Sequence, residues 1–187
     1  MKKRLLVISS LLVISIVLTG CSLGKNMSNT PTKRVEEYLG NYQTLHSNVI
    51  EKIDSVVGLE TTFTDTQKET YKSALKKHYQ DLTYEINEET VNGDKATVEA
   101  EIEVNDYSKV LKEAEAYKQT NADEFKLADG SFDEAKYNDY KLDKIKDAKD
   151  RVKYTIYFSL TKNTDGKWEL DDLTETEENK LLGIYEY

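Results

Sequence analysis

Beyond residue 30 the chain alternates between two hydrophobic periods, and the points where the period switches divide it into elements. Thr30-Pro31 supplies an N-cap and a proline at the first helical position. After it Val35, Tyr38, Leu39, Tyr42, Leu45, His46, Val49, Ile53, Val56 and Val57 recur every three or four residues. That spacing predicts one amphipathic helix of about seven turns, ending near Gly58. Thr64-Asp65-Thr66-Gln67 has the form of a capping box and opens a second helix with Tyr71, Ala74, Leu75, His78 and Tyr79 on one face.

The period then drops to two. Leu82, Tyr84 and Ile86 alternate with polar residues, Asn92-Gly93 marks a hairpin turn, and Ala96, Val98, Ala100, Ile102 and Val104 alternate with Thr97, Glu99, Glu101 and Glu103. This predicts a strand with one dry face and one acidic, wet face. A second hairpin comes from Val152, Tyr154, Ile156, Phe158 and Leu160, a turn at Asn163-Thr164-Asp165-Gly166, and a return through Trp168 and Leu170. Between the hairpins, over about residues 106–150, lies a charged insertion with two helical stretches. The first, Ser108–Gln119, carries Val110, Leu111, Ala114 and Tyr117; the second opens at a capping box read at Ser131-Phe132-Asp133-Glu134 and carries Ala135, Leu142, Ile145 and Ala148. Residues 120–130 between them read as a loop. Thr174-Glu175-Thr176-Glu177 caps a last short helix that stops at Gly183.

The first twenty residues follow neither period. Lys2, Lys3 and Arg4 precede the apolar run Leu5–Val17, which is too short to span a bilayer and reads as a secretory signal peptide. The run ends in Leu18-Thr19-Gly20-Cys21. These four residues resemble the lipobox of bacterial lipoproteins: an aliphatic residue, a small one, Gly or Ala, then Cys. The resemblance implies that residues 1–20 are a lipoprotein signal peptide and that Cys21 receives diacylglycerol and becomes the mature N-terminus. Residues 21–30 are then the lipidated cysteine and a flexible tether, and two acyl chains suffice for stable anchoring. The expected location is the cell membrane, lipid-anchored on its extracytoplasmic side.

Residues 31–187 read as a single domain of α+β class, N-terminal helices packed on a curved antiparallel sheet. The order of elements, closing on Gly166-Lys167-Trp168-Glu169-Leu170-Asp171-Asp172-Leu173 and Leu182-Gly183-Ile184-Tyr185, resembles the cystatin-like, NTF2-like domains of small Gram-positive lipoproteins. The charged helical insertion departs from the minimal form of that fold.

Charge and composition narrow the function. Against 26 Lys and Arg stand 35 Asp and Glu, a net charge of −9; this is no footprint for nucleic acid. The single cysteine excludes an internal disulfide framework and a Cys-rich zinc site, and its acylation would remove the one thiol from chemistry. No phosphate-binding loop, nucleophile elbow or zinc-spaced His-Glu pair occurs, so the reading calls for no cofactor, no metal and no catalytic residue. Thr161–Asp172 echoes a calcium loop, but begins with Thr, ends with Asp and is flanked by strands, which suits a plain hairpin turn. The acidic group Asp171, Asp172, Glu175, Glu177 and Glu178 suits the N-terminus of a helix, and the alternating charges of 139–150 suit a solvated helix face.

Tyrosine is the one excess, 13 of 187 residues. Tyr84, Tyr154, Phe158 and Trp168 share the inward parity of their strands, and Tyr71 and Tyr79 lie on the helix that covers them. These six either fill an ordinary core or line an open groove with polar tips. The function expected is a non-catalytic module, held to the membrane by its lipid, that binds an extracytoplasmic protein or small ligand. The alternative is a small-pocket enzyme using His46 or His78 with a carboxylate.

Overall fold

The computed structural model describes residues 29–186. Residues 1–20, read above as a signal peptide, and Cys21 with all but the last two residues of the expected tether lie outside them. Helices α1 (Pro31–Gln43), α2 (Ser47–Gly58) and α3 (Asp65–Gln80) come first, followed by strands β1 (Thr83–Asn92) and β2 (Lys95–Asn105). The insertion contributes α4 (Tyr107–Thr120), a 3-10 turn (Ala122–Phe125) and α5 (Glu134–Lys146). Strands β3 (Arg151–Lys162) and β4 (Trp168–Leu170) and helix α6 (Glu175–Leu181) complete the chain. The four strands form one antiparallel sheet in sequence order, an α+β architecture with helices packed on one face.

The alternation in β2 is realised residue by residue. Ala96, Val98, Ala100, Ile102 and Val104 are buried, and they pair across the ladder with Leu160, Phe158, Ile156, Tyr154 and Val152 of β3. Val35 and Leu39 of α1, Val49 and Ile53 of α2, and Leu75 and Tyr79 of α3 join the same buried cluster. On the opposite face Glu101 pairs with Lys153 at 2.6 Å in the open. Edge strand β1 carries a bulge between Ile86 and Glu88, after which its residues are exposed and mostly polar; the irregularity and the charges protect a free edge.

The long first helix is in fact two. The chain breaks at Thr44–His46, where Leu45 takes a left-handed φ of 52°, a conformation that costs a non-glycine residue about 1 kcal/mol. Leu45 still packs on the core after the break, so the three-and-four spacing continues across it and the break leaves no mark on the periodicity. The insertion's second helix also starts later than its sequence suggests. Asp133, not Ser131, is the N-cap, its carboxylate accepting from the Lys136 amide at 3.0 Å; the Ser131 hydroxyl donates to Asp129 instead. Nor are residues 120–130 all loop. The 3-10 turn drives Phe125 to 2% exposure among the rings of Tyr117, Tyr137 and Tyr140, giving the insertion a small aromatic core of its own.

At Thr64 the capping box forms as its sequence predicts. The hydroxyl accepts from the Gln67 amide at 3.2 Å and the Gln67 carboxamide returns the bond at 2.9 Å. Gln67 is also the seam to the insertion, donating to the Ala135 carbonyl and to Asp139. Thr64→Ala removes only the cap, so it is expected to lower stability by about 1 kcal/mol; a urea midpoint equal to that of the unsubstituted protein would refute the role.

Candidate functional site

Gln67 ties α3 to the first half of α5, and the Asn138 carboxamide, donating to the Thr62 hydroxyl at 3.2 Å, ties the turn before α3 to the same helix. Toward the C-terminal end of α5 a cleft of about 500 Å³ opens beside α3. Its floor is apolar: Ala74, Tyr107, Ile145 and Ala148. Its rim carries Thr66, Glu69, Thr70, Ser73 and Lys77 of α3, with Asp81, Asn105 and Lys146 closing the ends. The rim's hydrogen-bonding groups follow from helical spacing, because positions 66, 69, 70, 73 and 77 form one stripe beside the core stripe of 67, 71, 74, 75 and 78. Lys77 and Asp81 pair at 2.6 Å, one turn apart and largely exposed, so the pair adds little stability.

Behind the floor lies a sealed polar group. The Tyr107 ring stacks on His78 with centroids 4.6 Å apart, and its hydroxyl donates to the Ala74 carbonyl at 3.3 Å. His78 itself is 0% exposed. Its Nε2–H donates to the Leu181 carbonyl at 2.8 Å, which fixes the neutral tautomer and leaves Nδ1 without a hydrogen-bond partner among the described residues. Burial pushes this imidazole down to about 4 and the Tyr107 phenol up to about 12.

His46 is placed quite differently. It sits exposed in the break between α1 and α2, with Nδ1 3.0 Å from the Asn48 side-chain oxygen. Among the described residues neither imidazole bonds a carboxylate, and they do not meet, because the break turns His46 off the apolar face. The acid–base pair of the enzyme alternative is therefore not assembled. Among the described residues no three of His, Cys, Asp and Glu are grouped to hold a metal ion. At 161–172 the chain makes a tight hairpin, with the Asn163 side chain accepting from the amides of Asp165 and Lys167 at 3.0 Å.

The six aromatic groove candidates sit in the core or at its edge. Tyr79, Tyr154, Phe158 and Trp168 are buried in the core, while Tyr71 and Tyr84 are half-buried at its edge. The two α3 aromatics lie on the helix stripe that faces the sheet, one stripe away from the cleft. Burial of Trp168 at 8% exposure, beneath the Lys162 ammonium at 4.8 Å, makes its emission a direct check: blue-shifted and weakly quenched by iodide. Red, fully quenchable emission from the folded protein would contradict this packing. The residues that do build the cleft, notably Asn105 and Tyr107, were not singled out by sequence, since a strand end followed by a helix cap carries no motif.

Among the described residues no helix is long and apolar enough to cross a membrane. No family model and no curated protein matches the chain. Among solved structures, YcdA of Bacillus subtilis, a candidate lipoprotein, is similar at 15% identity with a TM-score of 0.42. The likeness covers 83% of this chain and 47% of that one, so the chain spans about half the length of that protein.

Proposed function

We propose that the chain is a membrane-anchored extracytoplasmic lipoprotein whose α+β domain, of the cystatin-like, NTF2-like kind, is a non-catalytic binding module. The cleft beside α3 is its ligand site. The observation that carries this reading is the lining of that cleft: an apolar floor under a rim of hydroxyls, a carboxamide and charged groups, at a volume within the range of about 300–1,000 Å³ usual for ligand sites. Leu18-Thr19-Gly20-Cys21 supplies the anchor, and two acyl chains hold a protein stably at a bilayer where one is marginal.

The test is native mass spectrometry of the full-length protein extracted from membranes in mild detergent. The expected result is a diacylglyceryl mass on the mature protein and a further small-molecule adduct. Cys21→Ala should abolish the lipid mass and the incorporation of a fatty-acid analogue, and Ser73→Trp, which fills the cleft from its exposed rim, should abolish only the adduct. Lipid retained on Cys21→Ala would refute the anchor. An adduct retained on Ser73→Trp would refute the cleft.

A further inference from the structure

We infer that the cleft opens at the pole of the domain opposite the lipid anchor, so that its ligand is a water-borne, net-neutral molecule and not a lipid of the bilayer. The inference rests on the anchored binding-module reading above and deepens it by placing the site and naming the ligand's class. Its first support is the way the tether is fastened. Asn29 joins the domain through its carboxamide, which donates to the Trp168 carbonyl at 3.1 Å and accepts from the Trp168 amide. The side chain thereby acts as a further rung on edge strand β4. Thr32, one turn on, bonds Glu89 of β1 through both its amide and its hydroxyl, and the Lys162 amide donates to the Asp94 carbonyl. One pole therefore gathers the end of the tether, the start of α1, the β1–β2 turn and the β3–β4 turn.

Strand β2 measures the distance from this pole to the cleft. It begins at Lys95, opposite Thr161, and ends at Asn105, opposite Arg151. Ten residue steps of extended chain span about 33 Å. Asn105 closes one end of the cleft, together with Asp81, Tyr107 and Ala148. Asp81 belongs to this far pole by direct contact, since Arg151 Nη2 donates to the carbonyls of Asp81 and Glu103 at 2.9 and 2.7 Å.

The tether is short against that length. Seven residues separate Cys21 from Asn29, and that many residue steps reach at most about 28 Å, less than the length of the strand. The tether holds the fastened pole near the headgroups and leaves the cleft beyond it. Charge opposes the alternative in which the domain lies flat. Residues 29–186 contain 22 Lys and Arg against 35 Asp and Glu, and anionic headgroups repel such a surface within a Debye length of about 8 Å.

The lining specifies the ligand's charge. Glu69 and Asp81 are offset by Lys77 and Lys146, so an ionic ligand meets no surplus of opposite charge. The Thr66 and Ser73 hydroxyls and the Asn105 carboxamide offer neutral hydrogen bonds above the apolar floor. A molecule with an apolar body and hydroxyl, amide or zwitterionic edges matches this arrangement.

Because Cys21 is the only cysteine in the sequence and is acylated in the anchored protein, one introduced thiol is unique. The exposed residues Ser73 at the cleft and Thr164 in the β3–β4 turn are each replaced by Cys in the full-length lipidated protein and labelled with a fluorophore. The protein is then inserted into phosphatidylglycerol–phosphatidylethanolamine vesicles bearing nitroxide headgroups. The Thr164→Cys label should be quenched several-fold more than the Ser73→Cys label, and Val91→Cys and Lys77→Cys should repeat the contrast. Protein that floats with the vesicles but shows equal or reversed quenching overturns the placement alone. Protein that does not float overturns the anchored reading, and this inference with it. Phospholipid from the same vesicles retained in native mass spectra of the unsubstituted protein, but not of Ser73→Trp, would overturn the ligand class while leaving the binding cleft standing.

Discussion

Gly183→Val is expected to cost about 4 kcal/mol and to leave most of the protein unfolded if the domain has the marginal stability common at its size. Gly183 ends α6 in a Schellman motif: its amide donates to the Lys180 carbonyl and the Ile184 amide to the Asn179 carbonyl, both at 3.0 Å. Its φ of 70° is one that L side chains rarely adopt. The position is also crowded, for a Cβ there would lie 2.1 Å from the Asn105 carbonyl oxygen and 3.2 Å from His78 Cε1. That oxygen belongs to the end of β2 and cannot swing aside, and the Gly183 carbonyl is fixed in turn by the Ser108 amide at 2.8 Å. A substitution here therefore pushes α6 away from the start of α4 and opens the seal over His78.

Gly130 separates the two contributions. Its φ of 87° is equally left-handed, but nothing lies within 4 Å of a Cβ built on it. Gly130→Val should show conformational strain alone, about 1–2 kcal/mol. Urea unfolding of both variants measures the difference. Equal losses at the two positions would show that the approach of Asn105 to Gly183 contributes nothing.

Gly183 also illustrates how much was legible in the sequence. Its role as a helix stop follows from its place after the last periodic residue of α6; its role as the point where two backbones meet does not, because Asn105 lies 78 positions earlier. Strands β2 and β3 were legible because each buries a single face, and a period of two records that directly. The α1–α2 break was not, because Leu45 keeps its apolar side inward through a left-handed turn. The groove candidates were chosen by aromatic parity, which marks burial, and so they fell mainly in the core. The cleft instead uses the polar stripe of α3, residues that read from sequence as an ordinary wet helix face. That stripe borders a cleft because the insertion brings Ile145 and Ala148 across from it, a pairing at long range that periodicity does not encode.

Between pH 7.5 and pH 5 the protein should lose about 2 kcal/mol of stability through His78 alone, out of a full linkage of about 3 kcal/mol. The imidazole titrates near 6.5 in an unfolded chain and near 4 in the folded one. Burial is the main cause of the difference. The bond to the Leu181 carbonyl opposes it, the Arg151 guanidinium reinforces it and the Asp81 carboxylate opposes it weakly. Tyr107 and Tyr79, whose rings lie against His78, stay neutral throughout this range, since burial raises both phenols. Protonation places a hydrogen on Nδ1, where the fold provides no acceptor. The sign follows from proton counting. Between the two titration points the unfolded state binds more protons, so stability falls as pH falls from about 6.5 and levels off below about 4. Above pH 7 neither state binds the proton and the contribution is fully present. Acidic residues held below their ordinary range by hydrogen bonds from lysines, Asp123 by Lys126 and Glu115 by Lys118, also respond in acid, so a reference variant separates them. His78→Gln keeps a donor for the Leu181 carbonyl and has no ionisable group. Its unfolding free energy, measured in urea at pH 7.5 and 5, should fall by about 2 kcal/mol less than that of the unsubstituted protein. Equal falls in the two proteins would show that His78 carries a proton in the folded state and that its burial is not what the packing of Tyr107, Leu181 and Gly183 implies.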